Sequence, residues 1–167
     1  MAYDSSGDCF IKIGDIEGEC RRKGLENWIE ISNFNFGATQ TATGGFGGGQ
    51  SGAARVSFSD LNFSKRMDKS SPKLIQAMFQ GKVYDTAQLV SRRAGLKDGQ
   101  PVRYLVWELK QVLVSGHSFG GSSDGEIPLE NCSLRFEEEK MHYREVIDGQ
   151  PQGPISEGWN AKKNVKA

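Results

Sequence analysis

Residues 68–81, DKSSPKLIQAMFQG, are the one stretch of the chain in which the signals for a helix agree with one another. Ser71 is a favourable N-cap, and Pro72 suits the first helical position, because the N–H that proline lacks would be unsatisfied there. Gly81 can adopt the left-handed conformation that ends a helix. The stretch predicts one short α-helix over about residues 72–80, with an apolar stripe at four-residue spacing made of Leu74, Ile75, Met78 and Phe79.

A helix of this length is marginal in water, so its apolar stripe must be covered by other elements. The rest of the chain supplies segments in which apolar and polar residues alternate, which is the pattern of half-buried β-strands. These segments are residues 9–13, 28–36, 55–67, 83–93, 102–115 and 132–143. We therefore predict a mainly β protein, an antiparallel β-barrel or two-sheet sandwich with one flanking helix, built as a single domain over residues 1–167.

Two of these segments carry more detailed predictions. In residues 28–36, alternation places Ile29 and Ile31 on one face of the strand and Trp28, Phe34 and Phe36 on the other. In residues 55–67 the apolar positions change phase, so a bulge near Ser59 and Asp60 is needed to keep them on one face. A hairpin should join segments 83–93 and 102–115, followed by a polar loop over residues 116–125.

Residues 37–54, GATQTATGGFGGGQSGAA, form a long glycine-rich segment with a single large side chain, Phe46. Eighteen residues of this composition cannot form a core, and they far exceed the two to five residues that close a hairpin. We interpret the segment as an arm that becomes ordered against a partner, with Phe46 and the adjoining Gly47, Gly48 and Gly49 as its contact residues.

Composition excludes several classes of partner. The chain has 21 Lys and Arg residues and 21 Asp and Glu residues, so its formal charge is zero and no basic field favours nucleic acid. The first residues show neither a signal peptide nor a membrane span, which predicts synthesis and folding in the cytoplasm without membrane insertion. The three cysteines, Cys9, Cys20 and Cys132, are irregularly spaced and are expected to be reduced.

No motif in the sequence makes a strong case for a cofactor or for catalysis. The glycines at positions 47, 49 and 52 fit a dinucleotide-binding pattern, but a strand follows them where that motif requires a helix. The cysteines with His117 and His142 lack the spacing of zinc ligands, so we predict no metal. Ser115 and Ser118 flank His117, yet no nucleophile elbow surrounds them, and we predict no catalytic residues.

Four motifs in order along the chain resemble the haemolysin-coregulated protein (Hcp) family, the tube protein of bacterial type VI secretion. They are FIKIGDIEGE at residues 10–19, an aromatic-x-aromatic-Gly sequence at residues 34–37 before the glycine arm, DKSSPKLIQA at residues 68–77, and GWN with a basic tail at residues 158–167. The chain departs from the family where Phe34 and Phe36 replace tryptophans.

The resemblance implies a hexameric ring whose copies stack into a tube inside a contractile sheath. The tube is capped by a VgrG spike, associates with baseplate proteins, carries small effector proteins and is expelled from the cell; it needs no cofactor and is not an enzyme. Asn35, between two aromatics, and Asn33 would then face the lumen, and Gly95, Asp98 and Lys162 are assigned to contacts between stacked rings. A monomeric barrel that binds a small apolar ligand remains the alternative, with a hydrolase as a third and weaker one.

Overall fold

The fold was obtained as a computed structural model, which describes residues 8–41, 55–93 and 100–167. Most of these residues lie in β-strands, and one α-helix accompanies them, as the sequence predicts. The strands are β1 Cys9–Ile13, β2 Ile29–Ile31, β3 Asn33–Asn35, β4 Ala38–Thr41, β5 Arg55–Phe58, β6 Leu61–Arg66, β7 Val83–Arg93, β8 Val102–Gly120, β9 Leu129–Arg135, β10 Glu138–Tyr143, β11 Val146–Ile147, β12 Gln150–Pro151, β13 Ile155–Asn160 and β14 Val165–Lys166. No helix in these three ranges has the length and apolar character needed to cross a bilayer.

The helix α1, Ser71–Gln80, begins one residue earlier than predicted, and Ser70 is its N-cap. The prediction of Ser71 as the cap is wrong because its hydroxyl turns back and accepts from the amide of Asp68, at 3.0 Å. Gly81 ends the helix with φ of 60°, and the amide of Lys82 closes the turn onto the carbonyl of Ala77.

The helix buries a narrower stripe than its apolar residues indicate. Leu74 and Ala77 are buried, and Met78 packs at the edge of the core. Phe79, which the four-residue spacing assigned to the same stripe, is 72% exposed. The sheet covers only the side of the helix that carries Leu74 and Ala77, so the large apolar side chain of Phe79 remains on the surface.

The long strand β8 organises the sheet. It pairs with β7 on one side; on the other, residues 105–110 pair with β10 and residues 113–120 pair with β9. Gln111, with φ of 54°, stands where β8 changes partner. From there one set of strands continues through β10, β13 and β14, while the other continues through β9, β6 and β3. All of these pairings are antiparallel, and β7 leads on to β1 and β2.

Side chains from both sets of strands meet in one main core. Ile11, Ile29, Leu61, Leu89 and Leu134 are completely buried there. The partly buried ring of Phe36 packs against this core, edge-on to the ring of Trp107 with centroids 4.8 Å apart, and the ring of Phe136 packs against both. A second, smaller cluster joins Phe10, Cys20, Leu25 and Trp28.

Several details of the predicted strands are corrected by the structure. The segment 28–36 bends at Ser32, so Phe34 and Phe36 pack in the same core as Ile29 and Ile31, and only Trp28 lies apart. A break between β5 and β6 does occur at residues 59–60, but β5 leaves the main sheet there and pairs with β4.

One further expectation is wrong at the other end of the chain. The loop predicted over residues 116–125 begins later than expected, because β8 runs to Gly120 and is held there by its ladder with β9. In β10, Met141 and Tyr143 are 39% and 43% exposed.

Candidate functional site: a polar wall on the outer face of the sheet

Alternation along β6 and β9 sends small polar residues to the outer face of the sheet and apolar residues to the core. Leu61 and Phe63 are buried, while Asn62 between them is exposed and Ser64 is half-buried. Strand β9 repeats the pattern, with exposed Asn131 and half-buried Ser133 flanking the buried Cys132. A strand's side chains point alternately to opposite faces, so these polar groups share one surface.

The pairing register aligns the polar residues into two rows that cross β3, β6, β9 and β8. One row runs Asn33, Ser64, Asn131, Ser118, and the other runs Asn35, Asn62, Ser133, Gly116. We call the seven side chains of these rows the polar wall. Every one of them is an amide or a hydroxyl, so the surface carries hydrogen-bonding groups without a charge.

Hydrogen bonds between neighbouring strands hold the polar wall in place. The hydroxyl of Ser64 donates to Oδ1 of Asn131 at 2.6 Å, and Nδ2 of Asn62 donates to Oδ1 of Asn35 at 3.3 Å. Gly116 lies so close to Ser133 that an added Cβ would sit 2.5 Å from its hydroxyl oxygen. The wall is therefore a surface made of short side chains that carry hydrogen-bond donors and acceptors.

Charged residues border the polar wall at one end and are paired there. Nε of Arg135 lies 3.2 Å from Oδ1 of Asp60, and the other oxygen of Asp60 accepts from the hydroxyl of Ser115 at 2.6 Å. The border thus adds little net charge to the surface.

The sequence located part of this site. It pointed to Asn33 and Asn35, and the structure places both on β3, exposed and side by side with β6. It missed Asn62, Ser64, Ser118, Asn131 and Ser133, although all but Ser118 lie next to buried apolar residues in period-two alternation, a signal that was available.

The remaining predicted contact residues are only partly described. Phe46, Gly47, Gly48, Gly49, Gly95 and Asp98 lie outside the described residues. Lys162 is exposed, and its Nζ lies 3.0 Å from Oε1 of Glu137. Residues 38–41, which the sequence assigned to the glycine arm, form β4 and pair with β5.

The arrangement around His117 does not form a nucleophile and base. The side chain of His117 is almost wholly buried on the inner face of β8, whereas Ser118 points outward. Ser115 is bonded to Asp60 and to Ser133, not to the imidazole.

On the inner face, His117 instead meets Glu130 and Cys132, and one potential ligand atom from each lies within 4.8 Å of the others. Burial lowers the pKa of His117 and raises the pKa of the Cys132 thiol to about 12. These residues lack the spacing by which zinc ligands are recognised in a sequence, and the pairing of β8 with β9 brings them together.

The chain is similar in sequence and in fold to proteins of the type VI secretion system. The family described as "Type VI secretion system effector, Hcp" matches residues 10–143. Protein hcp1 of Pseudomonas aeruginosa is 40% identical over 162 residues, covering 96% of this chain and 98% of its own. A structure of a type six secretion system protein superposes with a TM-score of 0.86 at 27% identity, covering 97% of this chain and 100% of that chain. The crystal structure of Hcp1 from Salmonella typhimurium gives a TM-score of 0.75 at 31% identity, covering 96% and 98%. The chain belongs to the Hcp family of type VI secretion tube proteins.

Proposed function

We propose that the protein assembles into homohexameric rings whose polar wall lines a central channel, and that stacked rings form the expelled tube. The single observation that carries the proposal is the polar wall itself, a broad, exposed and uncharged surface built in register from four strands. A channel that carries folded proteins needs a lining to which cargo binds without being trapped, and amides and hydroxyls provide one.

Apolar side chains on the surface support assembly. Phe79 is 72% exposed on α1, and Ile155 is 69% exposed on β13. The neighbouring strand β14 lies at the end of the sheet, where unpaired backbone groups and Val165, 48% exposed, are available. Uncovered strand edges and apolar residues of this kind are typical of surfaces that contact another subunit.

The proposed assembly has a structural role and is not an enzyme. Its partners are further copies of this chain, small effector proteins, the VgrG spike, the contractile sheath and the baseplate. In this proposal the subunit folds in the bacterial cytoplasm and leaves the cell through the type VI system.

The substitution Asn35→Glu tests the lining. Each of the six subunits would contribute one carboxylate in place of an amide, so each ring would carry six new negative charges around its channel. The substitution does not touch the core. We expect rings to form normally while an effector that co-purifies with the parent is lost. Gln76→Glu is the matched control, because it adds the same charge on the exposed face of α1. If intact Asn35→Glu rings retain as much effector as the parent rings, the polar wall does not line the channel.

A further inference from the structure

We propose that His117, Glu130 and Cys132 form a binding site for a divalent transition metal of the zinc class. The site lies on the inner face of the sheet, behind the polar wall. Glu130 and Cys132 are two residues apart on β9, so both side chains point to the same face. His117 stands directly opposite Cys132 on β8, which places its imidazole beside them.

The distances suit a tetrahedral ion. Nε2 of His117 lies 3.6 Å from Oε1 of Glu130, which is too long for a hydrogen bond. Zinc bonds of the usual length set neighbouring ligand atoms roughly 3.3 to 3.6 Å apart around a tetrahedron. The three ligand atoms all lie within 4.8 Å of one another. Side-chain rotations that bring them to the tetrahedral spacing would supply three of the four ligands of the ion.

Two of the ligand atoms are buried with no hydrogen-bond partner. They are Nε2 of His117, whose side chain is 2% exposed, and Oε1 of Glu130, whose side chain has no exposure. The other carboxylate oxygen, Oε2, lies 2.7 Å from Nζ of Lys65, which leaves Oε1 available. Buried polar atoms without partners carry an uncompensated desolvation cost, and a bound cation would remove it.

The chemistry of the donors matches zinc. Imidazole nitrogen, thiolate sulfur and carboxylate oxygen are its ordinary protein ligands. Metal ligands bind in their deprotonated forms, so metal binding would displace the proton of the Cys132 thiol. The ion pair with Lys65 fixes the orientation of the Glu130 carboxylate, and metal ligands are commonly oriented by such a contact. A bound ion would join β8 to β9 at this end of the core.

The test uses cobalt(II) as a spectroscopic substitute for zinc. The full chain is refolded with excess Co²⁺ under reducing conditions and desalted. We expect one bound ion per chain, with a thiolate-to-cobalt charge-transfer band and the visible bands of tetrahedral cobalt, both removed when Zn²⁺ is added. Cys132→Ser should abolish the charge-transfer band, and His117→Gln should weaken binding at least tenfold.

Cys20→Ser and His142→Gln are the matched controls. Cys20 is buried in the second cluster, and His142 is bonded to Ser156, so both variants should bind cobalt like the parent. A parent protein that retains no stoichiometric metal, or a charge-transfer band that survives Cys132→Ser, would overturn the proposal.

X-ray absorption of the zinc-loaded parent needs no variant and guards against a substitution that fails to fold. One sulfur together with nitrogen and oxygen neighbours is expected, and a coordination shell without sulfur would also overturn the proposal.

Discussion

Replacing Lys65 with methionine removes the charge at the centre of a buried polar network while keeping most of the side-chain volume. Nζ of Lys65 lies 2.7 Å from both Oε2 of Glu130 and Oδ1 of Asp68, and 3.0 Å from the hydroxyl of Ser71 and the carbonyl of Arg66. Methionine donates no hydrogen bond, so Glu130 would be left as a fully buried carboxylate. Breaking a buried ion pair from one side costs roughly 3 to 5 kcal/mol, a large part of the roughly 5 to 15 kcal/mol that stabilises a domain.

The assay is thermal and chemical unfolding at a fixed protein concentration in the presence of a chelator. A loss of this size should lower Tm by roughly 6 to 20 °C for a chain of this length. The double variant Lys65→Met with Glu130→Gln should recover part of the loss, because the orphaned charge is gone.

Lys162→Met is the matched control for this experiment. Its ammonium pairs with Glu137 on the surface, where the Lys162 side chain is 69% exposed, so the change in unfolding free energy should stay below about 1 kcal/mol. If Lys65→Met unfolds at the same midpoint as Lys162→Met, the buried network does not stabilise the fold as argued.

Three further predictions concern the core. Leu74→Ala should cost roughly 2 to 5 kcal/mol in unfolding free energy, whereas Phe79→Ala on the same helix should cost far less; equal losses would mean that the helix is seated differently. Gly18→Ala should lower Tm, because its Cβ would lie 2.4 Å from the carbonyl oxygen of Trp28, and an unchanged Tm would contradict that close approach. Because burial raises the pKa of Cys132 to about 12, iodoacetamide at mildly alkaline pH should modify it only after unfolding, which peptide mass spectrometry would detect; rapid labelling of the native protein would show the thiol to be accessible.

Features encoded by neighbouring residues were predictable from the sequence. The bounds of β1 follow from alternation in CFIKI, and the end of α1 follows from Gly81, since only a few residues decide each of them.

Features that depend on distant residues were not predictable. Periodicity shows which residues share a face, but not what covers that face, and for this reason Phe79 was assigned to the buried stripe although it is exposed. Glycine and serine after residue 115 suggested a loop, yet the ladder with β9 holds them in a strand. The polar wall and the meeting of His117 with Cys132 both depend on cross-strand register, which a single sequence does not specify.

Electron microscopy of the purified protein at micromolar concentration shows whether the chain assembles into rings with a channel. We expect ring-shaped particles with sixfold symmetry and an open channel, some of them stacked. A field of particles no larger than a single chain, unchanged as the protein is concentrated, would contradict it.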